Sequence, residues 1–178
     1  MFEKGDYVIY GSTGICCVEG VTTINIAGIP KDRIYYILRP ESRTESKIFI
    51  PVDNQKKIIR KVISKREAEE LIEEIPEIDP MDIANDKLRE EKYKECIQSC
   101  DCRELIRIIK TIYLRDKKRM EQGKKATAVD ERYLRLAEEN LYTELSMLLG
   151  IPKNNMESYI TSRIRQKETI GKKFMYCK

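Results

Sequence analysis

Short β-branched and aromatic runs alternate with turn residues up to position 63, and from Ser64 onward the apolar period is that of a helix. Tyr7, Val8, Ile9 and Tyr10 form the first run, and Gly11, Ser12, Thr13 and Gly14 the turn that follows. Residues 15–24 make a longer strand that ends in the Asn, Gly and Pro of 25–30. Residues 33–39 hold Ile34, Tyr35, Tyr36, Ile37 and Leu38; 41–46 is a polar turn; 47–50 is a strand stopped by Pro51. Ile58, Ile59, Val62 and Ile63 allow one last short strand. Four or five short strands with turns roughly every 8–12 residues predict a small barrel, because closure removes exposed sheet edges.

The remainder reads as helix. Ser64 followed by Glu67 is a capping box, and Ala68, Leu71, Ile72 and Ile75 keep helical spacing up to Pro76. A second helix is predicted over 80–99, with Arg89, Tyr93, Cys96, Ile97 and Cys100 on one side. Asp101 is the N-cap of a third, whose stripe is Leu105, Ile108, Ile109 and Ile112 and which Gly123 ends. Thr127 or Asp130 starts a fourth, with Leu134, Ala137, Leu141, Leu145 and Leu148 inward and Gly150 as its C-cap. Pro152 suits the first turn of a fifth, carrying Met156, Tyr159, Ile160 and Ile164, and a basic, frayed tail is expected after Lys167.

Composition narrows the function classes. The 178 residues are enough for one or two domains that fold without disulfide or metal. No apolar run nears the roughly 18 residues of a membrane span. The start, Met1 to Asp6, lacks the basic and apolar regions of a secretory signal. The six cysteines therefore read as reduced thiols, and a cytoplasmic location is expected. The chain has no histidine, which removes the usual imidazole base, Cys-His and Ser-His catalysis, and Cys/His zinc fingers. An enzyme is not expected.

The net charge of +4 is uneven: +3 over 1–63, −5 over 64–80, +4 over 81–126 and +2 over 127–178. Lys87, Arg89, Lys92 and Lys94 lie on the second helix. Arg115, Lys117, Lys118, Arg119, Lys124 and Lys125 lie at the end of the third and in its loop. These are candidate phosphate contacts, although Glu90, Glu91 and Glu95 also fit a solvated face with i,i+4 pairs. A modest net charge implies weak, salt-sensitive binding. Cys96, Cys100 and Cys102 lack the knuckle spacing of a zinc site, and Cys96 and Cys100 fall on the apolar stripe of their helix, where cysteine packs as a small hydrophobe, so no metal and no cofactor are expected. The glycines at 5, 11, 14 and 20 form no phosphate loop. Tyr7, Tyr10, Tyr35, Tyr36 and Phe49 divide between core and partner surface, with Phe49 outward against Ile48 and Ile50.

The order of these elements carries a resemblance. Phe2-x-x-Gly5-Asp6-x-Val8-x-Tyr10-x-x-x-Gly14, then Gly28, Tyr35-Tyr36-Ile37-Leu38 and Phe49-Ile50-Pro51-Val52-Asp53-Asn54, resembles the RNA polymerase-interacting domain of CarD/CdnL regulators, also found in transcription-repair coupling factor. It continues through Tyr93-Lys94, Ser99-x-Asp101, Ile106-x-Ile108-Ile109-Lys110-x-Ile112-Tyr113-x-Arg115-Asp116 and Leu141-x-x-Glu144-Leu145, so that it covers about 1–150. The resemblance implies a bacterial transcription factor without catalytic activity. Its Tudor-like barrel would dock on the polymerase β subunit. Its helical domain would meet promoter DNA at the upstream edge of the transcription bubble and stabilise the open complex. On that correspondence the polymerase contact falls on Ile24, Asn25, Lys47 and Phe49, more apolar than in other members. The DNA contact falls on Lys87, Arg89, Lys92, Lys94, Arg115, Lys118 and Arg119. Members of the family wedge a tryptophan into the minor groove, whereas this chain has none. One alignment puts Asp86 in that place and another Arg89, which is the preferred candidate.

The expected architecture is α+β: a Tudor/SH3-like barrel over 1–63, a helical domain over 64–167 and a basic tail over 168–178. The expected partners are RNA polymerase and promoter DNA, with no membrane and no small-molecule substrate. The rival reading is a protein-interaction adaptor on polymerase that makes no DNA contact.

Overall fold

In the computed structural model, residues 1–24, 32–42, 45–53, 59–83 and 85–175 are described, with side chains as far as 166. They form two compact units: Met1–Val62 with Gln98–Cys100, and Ile63–Ile97 with Asp101–Lys178.

The first unit is one antiparallel sheet. Its strands are β1 (Tyr7–Tyr10), β2 (Ile15–Thr23), β3 (Ile34–Pro40), β4 (Ile48–Pro51) and β5 (Ile59–Lys61), in the order β4-β3-β2-β1-β5. Alternation sets the inner face: Val8, Cys16, Val18, Tyr36, Leu38 and Ile50 pack together, with Phe2, Tyr10, Ile48, Val52 and Ile59 against them. Side chains from the two outermost strands thus share one core, which a sheet achieves by curling on itself. The backbone N–H of Phe2 donates to the Tyr36 hydroxyl at 3.0 Å and pins the N-terminus to β3. The adjacent tyrosines 35 and 36 point to opposite faces, yet both are buried. Asn25, expected at the polymerase contact, lies outside the described residues, as does Ile58 of the last expected strand.

The second unit is helical: α1 (Lys65–Glu74), α2 (Arg89–Ser99), α3 (Cys102–Glu121), α4 (Ala128–Leu149) and α5 (Met156–Met175). The capping box forms as expected: Glu67 N–H donates to Ser64 Oγ at 3.2 Å and Ser64 N–H to Glu67 Oε2 at 2.7 Å. Asp101 caps α3 and Thr127, the first of the two expected starts, caps α4. Gly150 ends α4 in the left-handed region at φ 68°, where a Cβ would be strained. Ala68, Leu71, Ile72, Leu105, Ile108, Ile112, Leu141, Leu145 and Met156 form the core. Burying each large aliphatic side chain contributes roughly 1.5–3 kcal/mol. The tail expected to fray after Lys167 is instead helical as far as Met175.

The start of the second helix differs from expectation. The second helix does not begin at 80: a 3-10 turn spans Asp86–Leu88, α2 starts at Arg89, and Met81, Asp82 and Ile83 are non-helical. Tertiary partners satisfy that backbone instead. Met81 N–H donates to Thr111 Oγ1 at 2.8 Å, and Lys92 Nζ donates to the Asp82 carbonyl at 2.9 Å. With donors and acceptors met from other helices, the segment has no need of helical bonds.

Candidate functional site

On the sheet, β4 is an edge strand. Phe49 pairs across to Ile37, and Ile37 to Gly20, so the three residues make one row across β4, β3 and β2. Gly20 brings no side chain to that row, and Phe49 stands 47% exposed. The ladder slips between Val18 and Gly20, a bulge at Glu19. Glu19 meets Lys47 Nζ at 2.9 Å and Arg39 Nε at 3.2 Å, and Arg39 also meets Glu41 at 3.2 Å. Hydrogen bonding to Lys47 chiefly holds the Glu19 carboxyl below its usual range. Lys47 is thus an internally paired cation, not a free one. The candidate contact is an apolar row bordered by a neutralised ion cluster, and Ile24, just past the end of β2, is half-buried.

Among the helices, the seven candidate cations separate into two groups. Arg89, preferred for the minor groove, turns inward: its side chain is only 12% exposed. Its guanidinium lies 3.1 Å from the fully buried Asp130 and 3.1 Å from Asp86. Arg115 joins the same knot, 2.9 Å from Asp86 and 3.7 Å from Asp130. Asp130 also accepts from the Tyr93 hydroxyl at 3.3 Å and the Thr127 hydroxyl at 2.8 Å. The knot therefore joins α2, α3 and α4 through one carboxylate. Burial, then the charge of Asp130, pushes the Tyr93 phenol well up. Arg119 Nε donates to the Lys125 carbonyl at 2.8 Å and closes the loop after α3, while Lys92 is held by Asp82 as above. Two candidate arginines are structural, and Lys92 and Arg119 brace backbone. Lys87, Lys94 and Lys118 are exposed and carry no ion pair among the described residues.

Asp86, the other wedge alignment, is the exposed member of the knot, and its bond to Arg115 chiefly holds its carboxyl below the usual range. Asp116 lies near the knot without joining it. Its Oδ1 is buried with no hydrogen-bond partner, and burial followed by the charge of Asp130 raises its pKa. A carboxyl whose folded pKa stands above the unfolded value stabilises the fold at low pH, and that contribution is lost as pH rises through the folded pKa. Asp116→Asn should therefore raise stability at neutral pH, by about 1 kcal/mol, and the gain should shrink on acidification. Urea melts at the two pH values check this; an equal gain at both would show that charge is not the cause.

The thiols are placed for packing. Cys96 Sγ donates to Glu104 Oε2 at 3.1 Å and Cys102 Sγ to Glu144 Oε2 at 3.2 Å. Burial pushes the Cys96 thiol up to about 12, far from the reactive thiolate. Among the described residues, no three metal-ligating side chains come together, and no helix is long and apolar enough to cross a membrane.

Sequence reasoning missed several exposed apolar side chains. Leu88, in the turn before α2, is 48% exposed beside Lys87. Tyr113, Leu114 and Met120 on α3 are 66%, 51% and 73% exposed. Their signal was present: none falls on the Leu105, Ile108, Ile109, Ile112 stripe that faces the core.

Comparison with known proteins bears on the first unit. No curated protein matches the chain. Residues 2–63 match the family described as the CarD-like/TRCF RID domain. That segment holds β1 to β5 and the Phe49 row, so the N-terminal part of the chain is a CarD-like RNA polymerase-interacting domain, a protein-interaction module of the transcription machinery.

Proposed function

We propose that the chain is a bacterial, cytoplasmic, non-catalytic transcription regulator. Its sheet unit docks on the polymerase β subunit, and its helical unit contacts promoter DNA near the upstream edge of the bubble, modulating open-complex stability. The RID match over 2–63 carries this reading. The docking surface is the Phe49 edge: strand pairing along β4 supplies backbone bonds, and Phe49 with Ile37 supplies apolar burial. Tethering raises the local concentration of the helical unit at the promoter, so its own DNA affinity need not be high.

With Arg89 and Arg115 internal, the DNA contact rests on Lys87, Leu88 and Lys94 around the start of α2, while the exposed Lys118 stands apart on α3. Leu88 supports a wedge in place of the missing tryptophan: it is apolar, half exposed and flanked by the exposed Lys87, and leucine is among the side chains that open a base step. The adaptor reading stays as the alternative because four of the seven expected cations have internal partners. Promoter-opening kinetics decide between them. Lys87→Glu with Lys94→Glu should shorten open-complex lifetime about tenfold at low salt and by less as salt rises, with polymerase affinity unchanged. Leu88→Ala should shorten it with little change in salt dependence. Unchanged lifetimes in both variants at low salt would replace the DNA contact with the adaptor reading.

A further inference from the structure

Among the described residues of the helical unit, the outward face of α3 gathers the largest group of exposed large apolar side chains. Tyr113, Lys117 and Met120 stand at i, i+4 and i+7 and so form one ridge, with Leu114 beside it. Among the described residues, Met120, Tyr113 and Leu114 are more than half exposed and sit on two turns of one helix. Lys117 and Lys118 interleave with them and carry no ion pair among the described residues; of the two acids on the same turns, Asp116 has a buried Oδ1 and Glu121 is exposed. Lys124 and Lys125 follow in the loop. Nothing in the core of the unit uses these side chains, because the buried stripe of α3 lies on Leu105, Ile108 and Ile112.

We propose that this ridge docks an acidic amphipathic helix of a protein partner, independently of the DNA contact. A single helical ridge packs best in the groove of another helix. Two turns with anchors at i, i+4 and i+7 span about 10 Å, the register in which amphipathic helices are read. Charge selects among occupants. A second copy of this chain across a two-fold axis would set Lys117 and Lys118 against the same lysines. A phosphate backbone would reward the lysines but leave Tyr113, Leu114 and Met120 against charged oxygens, with their apolar area still to bury. An acidic amphipathic helix satisfies both: its apolar face covers the tyrosine, leucine and methionine, and its carboxylates meet the lysines at the rim.

The test uses the full chain and fluorescence anisotropy. The probe is a labelled peptide of about 18 residues, long enough to turn helical on binding, with leucine at helical spacing and glutamate elsewhere. A peptide of the same composition with that spacing scrambled is the control, and a labelled DNA duplex is the competitor class. The patterned peptide should bind about tenfold more tightly than the scrambled one. Tyr113→Ser with Met120→Ser should lose that preference. Lys117→Glu with Lys118→Glu should weaken binding of the patterned peptide by a similar factor. All four side chains are exposed, so helical content should be unchanged, and the two variants read the same surface by independent chemistry. Equal affinity for the two peptides, or serine variants that bind as the parent does, would overturn the proposal. So would loss of duplex binding in the glutamate variant with no change for either peptide, which would assign the face to nucleic acid.

Discussion

Asp130→Ala should destabilise the helical unit by about 3–5 kcal/mol, the range found when one partner of a buried ion pair is removed. Asp130 is fully buried and touches four side chains from three helices or their caps: Arg89, Arg115, Tyr93 and Thr127. Removing it leaves Arg89, itself only 12% exposed, with no counter-charge but Asp86, and leaves the Tyr93 hydroxyl without its acceptor. The penalty is that of the orphaned charge, not the net worth of the pair. Arg89→Met in the Asp130→Ala background should therefore recover a large part of the loss, since a well-packed apolar group can replace an ion pair at little cost. Urea melts followed by the helical far-ultraviolet signal give the four corners of the cycle. A loss under about 1 kcal/mol for Asp130→Ala would mean that the knot is ornamental. Acid should act in the same direction at Asp86. Its folded pKa is depressed, so its contribution is present above the unfolded value and is lost as pH falls through the folded one.

That knot also marks where sequence reasoning stops. Local chemistry was legible: the Ser64 and Glu67 box, the Asp101 cap, the Thr127 cap and the Gly150 terminus are each set by residues within one turn. Strand positions followed from alternation, so expected strands over 7–10, 33–39 and 47–50 became Tyr7–Tyr10, Ile34–Pro40 and Ile48–Pro51. The failures are non-local. The start of α2 depends on Thr111 and on Lys92 capturing backbone groups at Met81 and Asp82, which no window around 80 contains. Arg89 falls on the inward stripe with Tyr93 and Cys96, and that position did announce its burial. Its counter-charge, Asp130, sits on α4, far along the chain, where no local pattern shows it. A count of basic residues cannot separate a solvated lysine such as Lys94 from an arginine neutralised by a distant aspartate. The pairing of Lys47 with Glu19, which sits at the β2 bulge, is non-local in the same way.

Phe49→Asp should abolish polymerase docking while leaving the sheet folded. Phe49 is 47% exposed on an edge strand, so its ring contributes little to the core of Val8, Val18, Leu38 and Ile50. Replacing it puts a carboxylate at the end of the row formed with Ile37 and Gly20, close to the lysine and arginine already neutralised by Glu19. In the free protein the new charge is solvated and the stability change should be small. In the docked state it would be desolvated opposite whatever apolar surface the ring had met, at a cost of several kcal/mol. A loss of 3 kcal/mol or more is about a hundredfold or more in affinity. Phe49→Ala should fall between, losing apolar area without adding charge, by about 2 kcal/mol if the ring is an anchor. Lys47→Ala serves as the contrast. Its ammonium is held by Glu19, so its removal should change affinity far less than either substitution at Phe49. Calorimetry of the full chain against the polymerase β subunit, with thermal melts as the check on folding, gives the ranking. Equal affinity for Phe49→Asp and the parent would move the docking surface off β4. A larger loss at Lys47 than at Phe49 would make the contact electrostatic and not apolar, with a correspondingly steep dependence on salt.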